Sequence, residues 1–460
     1  MGKFRTILGV GLAGACALAV TPATASAAPV STAGPVTTAG LADTTGAYYP
    51  ISPARLMDTR SGVGAPKAKI GAGAKVDLQV TARGGVPAYG AGAVVLNVTI
   101  VNPTADSFVT AYPAGEARPD ASSVNFAKGW LGSNNVTVKL GSGGKVSIYN
   151  RNGSTDVVVD VVGFYAKDNS MTNRNGGQYE WLPQFRLWDT REDPEGKPVA
   201  GEVLEYSLDF DDPNTAENEN THVKTIVFNL TAVSPAANGY LTAWSGATAR
   251  TTASTVNYLA GVNVPNMAYV QTTPCTAADG WCEPGAPKFK IYTHASAHVL
   301  VDLVGVVDDG WSDFGLRFKP MSPTRIVDSR INMGISGALN AGSIRQVTVP
   351  AGMMTPETAV LNMNLTGIKP TKNTVITVWP GDYFEKPDSS NLNPYANQIV
   401  SNGVLGVVEP GRFSVHNHTG STHVVVDVTG SFYYPNVAAA KTAGARDAAS
   451  RPQPVASSHR

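Results

Sequence analysis

The sequence predicts an all-β protein built from three tandem β-sandwich-like repeat domains, each with about eight short strands. Three observations predict this class. Five sequence blocks recur three times in the same order along the 460 residues. Within each unit, runs rich in Val, Ile, Thr and Tyr are interrupted by Gly, Pro, Asn and Ser, which is the pattern of short strands and turns. No helical period of useful length occurs, and eight short strands per unit favour a sandwich.

The repeats are defined by blocks that keep their order. "RLMDTR" at 55–60 returns as "RLWDTR" at 186–191 and "RIVDSR" at 325–330. "VVLNVT" at 94–99 returns as "IVFNLT" at 226–231 and "LNMNLT" at 361–366. Blocks that resemble "FVTAYPAG", "SSVNF" and "DVVVDVVGFY" follow in every copy. Each unit spans about 115 to 130 residues, which is the size of one domain rather than of a solenoid repeat.

The first unit contains eight runs that each predict a strand. Apolar or alternating runs predict strands near 54–58, 75–81, 93–101, 107–113, 122–126, 135–140, 145–150 and 156–165. "NRNGST" at 150–155 predicts a hairpin turn, because its glycine can adopt a positive φ. The last run, "VVVDVVGF", is apolar on both faces and therefore predicts a central, buried strand.

The termini and connections predict the remaining organisation. Lys3 and Arg5, an apolar stretch from 7 to 20 and the A-x-A triplet at 25–27 predict a secretory signal peptide over 1–27. We expect a flexible leader over 28–46, repeats at 47–167, 179–307 and 318–435, linkers at 168–178 and 308–317, and a disordered tail over 436–460.

Composition excludes some function classes. Only 15% of the residues are charged, and 35 basic residues balance 35 acidic ones. No basic field is therefore available to hold nucleic acid or an anionic membrane. After the signal peptide, no apolar run is long enough to predict a membrane span. We expect a chain that is secreted and extracellular, with a cell-wall association as the narrower hypothesis.

These blocks together resemble a module of secreted tandem-repeat proteins from Gram-positive filamentous bacteria. The pattern is R-L-x-D-T-R, V-L-N-V-T, V-W/Y-P-G, S-N-x-N and H-V-V-V-D-V-x-G-Y-F, and the similarity covers nearly all of residues 48–434. The module also occurs beside secreted hydrolase domains, so the resemblance implies an accessory role. It implies no specific activity.

The charged residues of the repeated blocks predict a structural network. Asp160 is the only charge in its buried strand, and an unpaired buried carboxylate is costly. Arginine holds a carboxylate through two parallel hydrogen bonds. We therefore expect one arginine of each R-x-x-D-x-R block to pair with the aspartate of the last strand; local pairing within the block and catalysis are the alternatives. The residues are Arg55, Asp58, Arg60 and Asp160; Arg186, Asp189, Arg191 and Asp302; and Arg325, Asp328, Arg330 and Asp427.

Two cysteines remain after the signal peptide, Cys275 and Cys282, in an insertion peculiar to the second repeat. In an oxidising compartment they predict a local disulfide. A metal or redox motif is the alternative, but it would require closer spacing and a second pair of cysteines.

An aromatic row offers a candidate ligand face. In "SFVTAYP", alternation places an aromatic-Thr-aromatic set on one side of the strand, and an Asn of the preceding strand would lie beside it. Rings next to amides and hydroxyls suit sugar stacking, while packing within the sheet or between repeats is the alternative. The predicted ligand-binding residues are Tyr112, Trp244, Trp379, Asn97, Asn229 and Asn364.

Other motifs point away from catalysis and cofactors. His416, His418 and His423 could form a metal site, but the other repeats place Tyr149, Arg151 and others there, so we expect no metal. The acidic stretch 209–220 is expected to be a solvated loop, with calcium binding as the alternative. No nucleophile or phosphate-binding motif occurs, and we expect no cofactor. The predicted function is a secreted, non-enzymatic binding or surface module for polysaccharide or cell-wall polymer. A secreted hydrolase with an unrecognised site and a purely structural envelope protein are the alternatives.

Overall fold

The protein is all-β, with several antiparallel sheets. The computed structural model describes residues 41–171, 176–211, 218–381, 384–408, 410–435 and 453–460. The predicted signal peptide and the leader up to residue 40 lie outside this range. Within it, the helical elements are short 3-10 turns at Ser142–Gly144, Asn169–Met171 and Glu219–His222. No helix in the described part of the chain is long and apolar enough to cross a membrane.

Repeat 1 is a sandwich of two four-stranded sheets. Its strands are β1 Tyr48–Asp58, β2 Lys75–Gln79, β3 Ala91–Val101, β4 Ser107–Pro113, β5 Val124–Phe126, β6 Leu131–Lys139, β7 Lys145–Asn150 and β8 Asp156–Ala166. Each overlaps one of the eight runs that the sequence predicts. The inner sheet has the order β1-β8-β3-β6 and the outer sheet the order β2-β7-β4-β5.

Repeats 2 and 3 follow the same plan. Repeat 2 has β9 Tyr179–Asp189, β10 Val203–Asp209, β11 Thr225–Val233, β12 Gly239–Trp244, β13 Val256–Tyr258, β14 Val264–Gln271, β15 Thr273–Pro274, β16 Pro287–Thr293 and β17 His298–Val307. Repeat 3 has β18 Arg317–Asp328, β19 Ile344–Thr348, β20 Thr358–Ile368, β21 Ile376–Trp379, β22 Ile399–Val407, β23 Arg412–Asn417 and β24 His423–Tyr433. A final strand, β25 Val455–His459, joins the outer sheet of repeat 2.

Each repeat has its own core between its two sheets. In repeat 1, Val157, Val159 and Val161 of β8 point into that core, where they meet Val109 and Ala111 of the outer sheet. The opposite face of β8 is also largely buried, because the inner sheet packs against the other repeats as well as against its own outer sheet. This is the physical reason for the unbroken apolar run in the sequence.

A fourth core is shared by all three repeats. Its aromatic centre contains Tyr48, Tyr165, Tyr179, Phe318 and Phe432, with ring centroids 4.2 to 6.0 Å apart in the closest pairs. The described residues from Leu41 onward therefore belong to one compact unit, in which repeats with separate cores are joined by a common one.

The starts of the three inner sheets close a ring of backbone contacts. Tyr48 pairs with Gly177, and Tyr179 pairs with Leu316. The third contact returns to the first repeat, since Phe318 N donates to Gly46 O at 2.9 Å. The three repeats thus contact one another head to tail in a cycle.

Three predicted boundaries change in the structure. The leader is folded from residue 41, where Thr44 N donates to Asn169 Oδ1 at 2.9 Å. Residues 176–178 and 308–317, predicted as linkers, carry part of the backbone ring. Residues 453–460 of the predicted disordered tail are ordered as β25, so that prediction is wrong for this segment, while 436–452 lie outside the described residues. No residue of β25 is fully buried, so neither face requires apolar side chains and the sequence shows no alternation there.

Candidate functional site

The repeated charges form the predicted pairs between the first and last strands. Arg55 and Asp160 lie opposite each other in the β1–β8 register. Arg55 Nε donates to Asp160 Oδ1 at 2.8 Å and Arg55 Nη2 to Oδ2 at 3.1 Å. Asp58 is held by Arg60 through bonds of 2.9 and 2.7 Å, with Arg55 Nη1 at 3.4 Å. Local pairing within the block therefore coexists with the pair between strands.

The same network occurs in the other two repeats. Arg325 holds Asp427 at 2.8 and 3.1 Å, as Arg55 holds Asp160. Arg186 holds Asp302 in the same two-point manner. The local pairs are Asp189 with Arg191 and Asp328 with Arg330.

Burial and pairing act in opposite directions on these carboxyl groups. Burial raises the pKa of Asp160, Asp302 and Asp427, and the hydrogen bonds from their arginines oppose the rise. Hydrogen bonds from Arg60 and Arg330 lower the pKa of Asp58 and Asp328. Each network has two cations and two anions joined by hydrogen bonds and ion pairs, which is the arrangement of a structural ion cluster.

Each network also lies at the boundary with the next repeat. Arg55 Nη2 donates to the carbonyl of Thr252 in repeat 2 at 3.3 Å. Ser122 N in repeat 1 donates to Asp427 Oδ2 of repeat 3 at 3.3 Å. The repeated block therefore joins strands within one repeat and also contacts its neighbour.

The three asparagines predicted to bind ligand lie beside the networks and make contacts between repeats. They pair across the inner sheet with the buried aspartates, as Asn97 does with Asp160. Each side-chain oxygen accepts from an asparagine of another repeat: Asn266 to Asn97 at 2.8 Å, Asn402 to Asn229 at 2.9 Å and Asn134 to Asn364 at 2.8 Å. Each side-chain nitrogen donates to a backbone carbonyl of that same repeat, at Ser254, Ser390 and Ser122 respectively. Both ends of each amide are occupied, so these residues do not form the predicted ligand site.

The aromatic row is also buried. Tyr112, Trp244 and Trp379 are 4%, 7% and 5% exposed. The indole N–H of Trp244 donates to Thr248 O at 3.2 Å, and that of Trp379 donates to Phe384 O at 3.1 Å. The predicted ligand face is therefore not open to solvent, and packing, the alternative interpretation, describes these side chains.

The middle threonine of each row explains the burial. Its hydroxyl donates to a carbonyl in the segment that follows the strand, which holds that segment across the face. The three bonds are Thr110 to Ala121 at 2.8 Å, Thr242 to Ala253 at 3.0 Å and Thr377 to Ser389 at 3.2 Å. Strand alternation identified the face correctly, but the covering segment is a tertiary feature.

The cysteines form the predicted disulfide. Cys275 and Cys282 are bonded, with their Cα atoms 6.2 Å apart. Their loop follows β15 and precedes β16 in the outer sheet of repeat 2. The sulfur atoms are consumed by this bond, which disfavours the metal interpretation.

The remaining candidates do not assemble into a metal site within the described residues. His423 Nδ1 lies 2.9 Å from Ser329 Oγ, and no group of three ligating atoms there includes His416, His418 or His423. Of the acidic stretch, residues 212–217 lie outside the described residues. Asn220 binds the carboxylate of Asp209 at 2.8 Å on the flank of that stretch.

A groove between repeats 1 and 3 was not predicted from the sequence. Its volume is about 1450 Å³. Residues 88–92, 139–141, 143–144 and 166–168 line one side, and residues 318–321 and 352–355 of repeat 3 line the other. Tyr89 is 85% exposed there, and Met321, Met353 and Met354 are partly buried. The only sequence signal was an isolated tyrosine among small residues in "PAYGAGA".

The wall that carries Tyr89 has a specific backbone conformation. Gly90 has φ +83°, and a Cβ there would lie 2.2 Å from the Met171 side chain. At Gly141 a Cβ would lie 2.1 Å from Ala114 O. Lys139 is held by Glu116 at 2.8 Å, and Glu116 also accepts a hydrogen bond from Ser322 across the repeat boundary. Close packing at the two glycines and the Lys139–Glu116 ion pair therefore fix the groove wall.

Comparison with known proteins is limited to structure. No protein-family model and no curated protein matches this sequence. Among solved structures, the chain is similar to one described as "The Triple Jelly Roll Fold and Turret Assembly in an Archaeal Virus". The sequence identity is 8%, the match covers 84% of this chain and 97% of that chain, and the TM-score is 0.16.

Proposed function

We propose that the protein is a secreted, non-enzymatic binding module that holds an extended polysaccharide of the cell envelope in the groove between repeats 1 and 3. The observation that carries the proposal is the ring of Tyr89, which is 85% exposed on the groove wall. The repeated aromatic rings are buried, so Tyr89 takes over the stacking role that the sequence assigned to Tyr112, Trp244 and Trp379.

The chemistry of the groove suits a polymer with apolar and polar faces. A tyrosine offers a flat apolar surface with a polar edge for a sugar ring. Lys167 and Lys319 are exposed on opposite sides of the groove and supply hydrogen-bond donors. The methionines of repeat 3 provide an adaptable apolar surface. The volume of about 1450 Å³ exceeds the roughly 300–1,000 Å³ of small-molecule sites, which favours an extended ligand.

The distribution of carboxylates favours binding over hydrolysis. Among the described residues that line the groove, Asp168 is the single acid. Glycoside hydrolysis ordinarily uses two carboxyl groups about 5 to 9.5 Å apart. The acids of the repeated blocks are held in ion clusters at repeat boundaries. A secreted hydrolase is thus the weaker alternative.

A purely structural role in the envelope is the second candidate. It is favoured by the fact that the repeated asparagines and arginine–aspartate pairs serve contacts within and between repeats. Secretion itself follows from the predicted signal peptide, and the disulfide is compatible with it.

Co-sedimentation with insoluble polysaccharide tests the proposal. Purified protein is incubated with peptidoglycan sacculi and, separately, with chitin, and the bound fraction is measured. Tyr89→Ala should weaken binding by about two- to tenfold, since ring stacking contributes about 0.5–1.5 kcal/mol. Lys167→Ala should weaken it as well.

The controls are surface changes outside the groove. Ile331→Ala removes an apolar side chain that is 67% exposed, and Lys372→Ala removes an exposed charge. Both should bind like the unaltered protein. Equal binding by the Tyr89 variant would contradict the groove assignment, absence of binding to any envelope polymer would favour the structural role, and release of reducing sugar would favour a hydrolase.

A further inference from the structure

Three features of repeat 2 converge on residues 453–460, which we call the β25 segment. They are the edge of β10, which has counterparts in the other repeats, and two features that only repeat 2 possesses, an acidic turn after β9 and the disulfide loop. Together they form a second site. It differs from the groove because it binds a polypeptide strand, whereas the groove presents an exposed tyrosine ring.

The β10 edge provides the backbone contacts. β25 pairs with it antiparallel over five residue pairs, from Glu205 opposite His459 to Asp209 opposite Val455. The corresponding edge strands of the other repeats are β2 and β19. Within the described residues, β2 pairs only with β7 and β19 only with β23. An unpaired edge accepts an added strand readily, so the extra strand in repeat 2 requires further selection.

The acidic turn supplies that selection by charge. Arg460 Nη2 lies 3.0 Å from Asp193 Oδ2 and donates to Gly196 O at 2.7 Å. Arg460 Nε lies 3.0 Å from Glu195 Oε2 and 3.8 Å from Glu202 Oε1. The Arg460 side chain is only 13% exposed. The corresponding segments 61–74 and 331–343 of the other repeats contain no acidic residue.

The disulfide loop supplies an aromatic contact. Trp281 lies between Cys275 and Cys282, and its ring stacks on His459 with a centroid separation of 5.8 Å and an interplanar angle of 19°. The disulfide closes the loop of the insertion peculiar to repeat 2, and this loop places the Trp281 ring against the β25 segment.

We propose that this site on repeat 2 is a strand receptor that also accepts the β25 segment of a second copy of the chain, so that strand exchange links copies. An identical segment makes the same backbone, charge and ring contacts from another molecule, which makes exchange of this kind inexpensive. Within one molecule the segment competes at high effective concentration through residues 436–452, so linkage between copies rises with protein concentration.

Two complementary variants test exchange in the whole chain. The receiver lacks residues 453–460 and keeps the site. The donor keeps the segment and carries Asp193→Lys with Glu202→Lys, which repels Arg460. Light scattering after size-exclusion chromatography should find each alone as a monomer and their mixture as a one-to-one dimer. Melting curves establish that both are folded. Arg460→Ala in the donor should abolish the dimer, and Lys372→Ala, which removes an exposed charge on repeat 3, should not.

A labelled peptide of residues 451–460 with an amidated carboxyl terminus separates the two parts of the proposal. It should bind the receiver, and its Arg460→Ala form should bind at least about tenfold more weakly, since that form loses the hydrogen bonds of a charged group. Peptide binding without a dimer in the mixture would refute exchange between copies. Failure of the peptide to bind the folded receiver would refute the receptor itself.

Discussion

Removing the Arg55 side chain tests whether the buried ion pairs hold the repeats together. Arg55→Ala leaves the Asp160 side chain fully buried and without its two charged hydrogen bonds. Removing one partner of a buried pair costs about 3–5 kcal/mol. Because Arg55 is 24% exposed and its contact with Thr252 is long, we expect the lower end of that range, about 3 kcal/mol.

The reciprocal change should cost less. Asp160→Asn removes the buried charge and leaves Arg55 in contact with Asp58 and solvent, so we expect a loss of about 1–2 kcal/mol. In the double variant the orphaned carboxylate is absent. The double variant should therefore lose less unfolding free energy than the sum of the two single losses, by about 1–3 kcal/mol, which is the range for directly interacting residues.

Urea unfolding at several pH values measures both effects, with Arg345→Ala at an exposed position as the control. Burial already raises the pKa of Asp160 in the native protein, and loss of Arg55 raises it further. A carboxyl group whose folded-state pKa exceeds its unfolded value stabilises the fold at low pH and loses that contribution as pH rises. The Arg55→Ala deficit should thus shrink on acidification. Strictly additive losses in the double variant, or a deficit independent of pH, would refute the pairing argument.

Two further predictions concern other buried groups. Trp379→Ala should lower the free energy of unfolding by about 3–5 kcal/mol, because it empties a buried site, whereas a melting curve like that of the unaltered protein would contradict the packing role. Burial is the main cause, and the neighbouring Glu180 the second, that raises the pKa of Asp308 to about 7. The contribution of Asp308 to stability is therefore complete below about pH 4 and is lost as pH rises towards 7. Asp308→Asn should therefore flatten the decline in stability between pH 4.5 and 7.5 in urea unfolding, and an unchanged slope would exclude Asp308 as its source.

The residue pattern alone was sufficient to predict the strands, the disulfide and the pairing of the buried aspartates with arginine. Alternation and turn residues located the eight strands of repeat 1, because side chains point to opposite faces with a period of two. A lone aspartate in an apolar strand implied a cation, and the repeated arginines were the available partners. Two cysteines seven residues apart, in a chain with a predicted signal peptide, implied a disulfide. Each inference needed only one strand, one loop or one obligatory pair.

Tertiary packing decided which of the predicted faces are buried and where the groove and the β25 site lie. Periodicity assigns Trp379 and Asn97 to a face, but it does not reveal that a covering segment or another repeat buries that face. Of the residues that looked most like a ligand site, the asparagines therefore make contacts between repeats, and the aromatic rings pack beneath a segment of their own repeat. The Tyr89 groove arises because two repeats meet there, and the β25 segment is ordered because an edge strand, an acidic turn and a disulfide loop come together only in space. Such sites depend on long-range packing, which leaves no short-range pattern in the sequence.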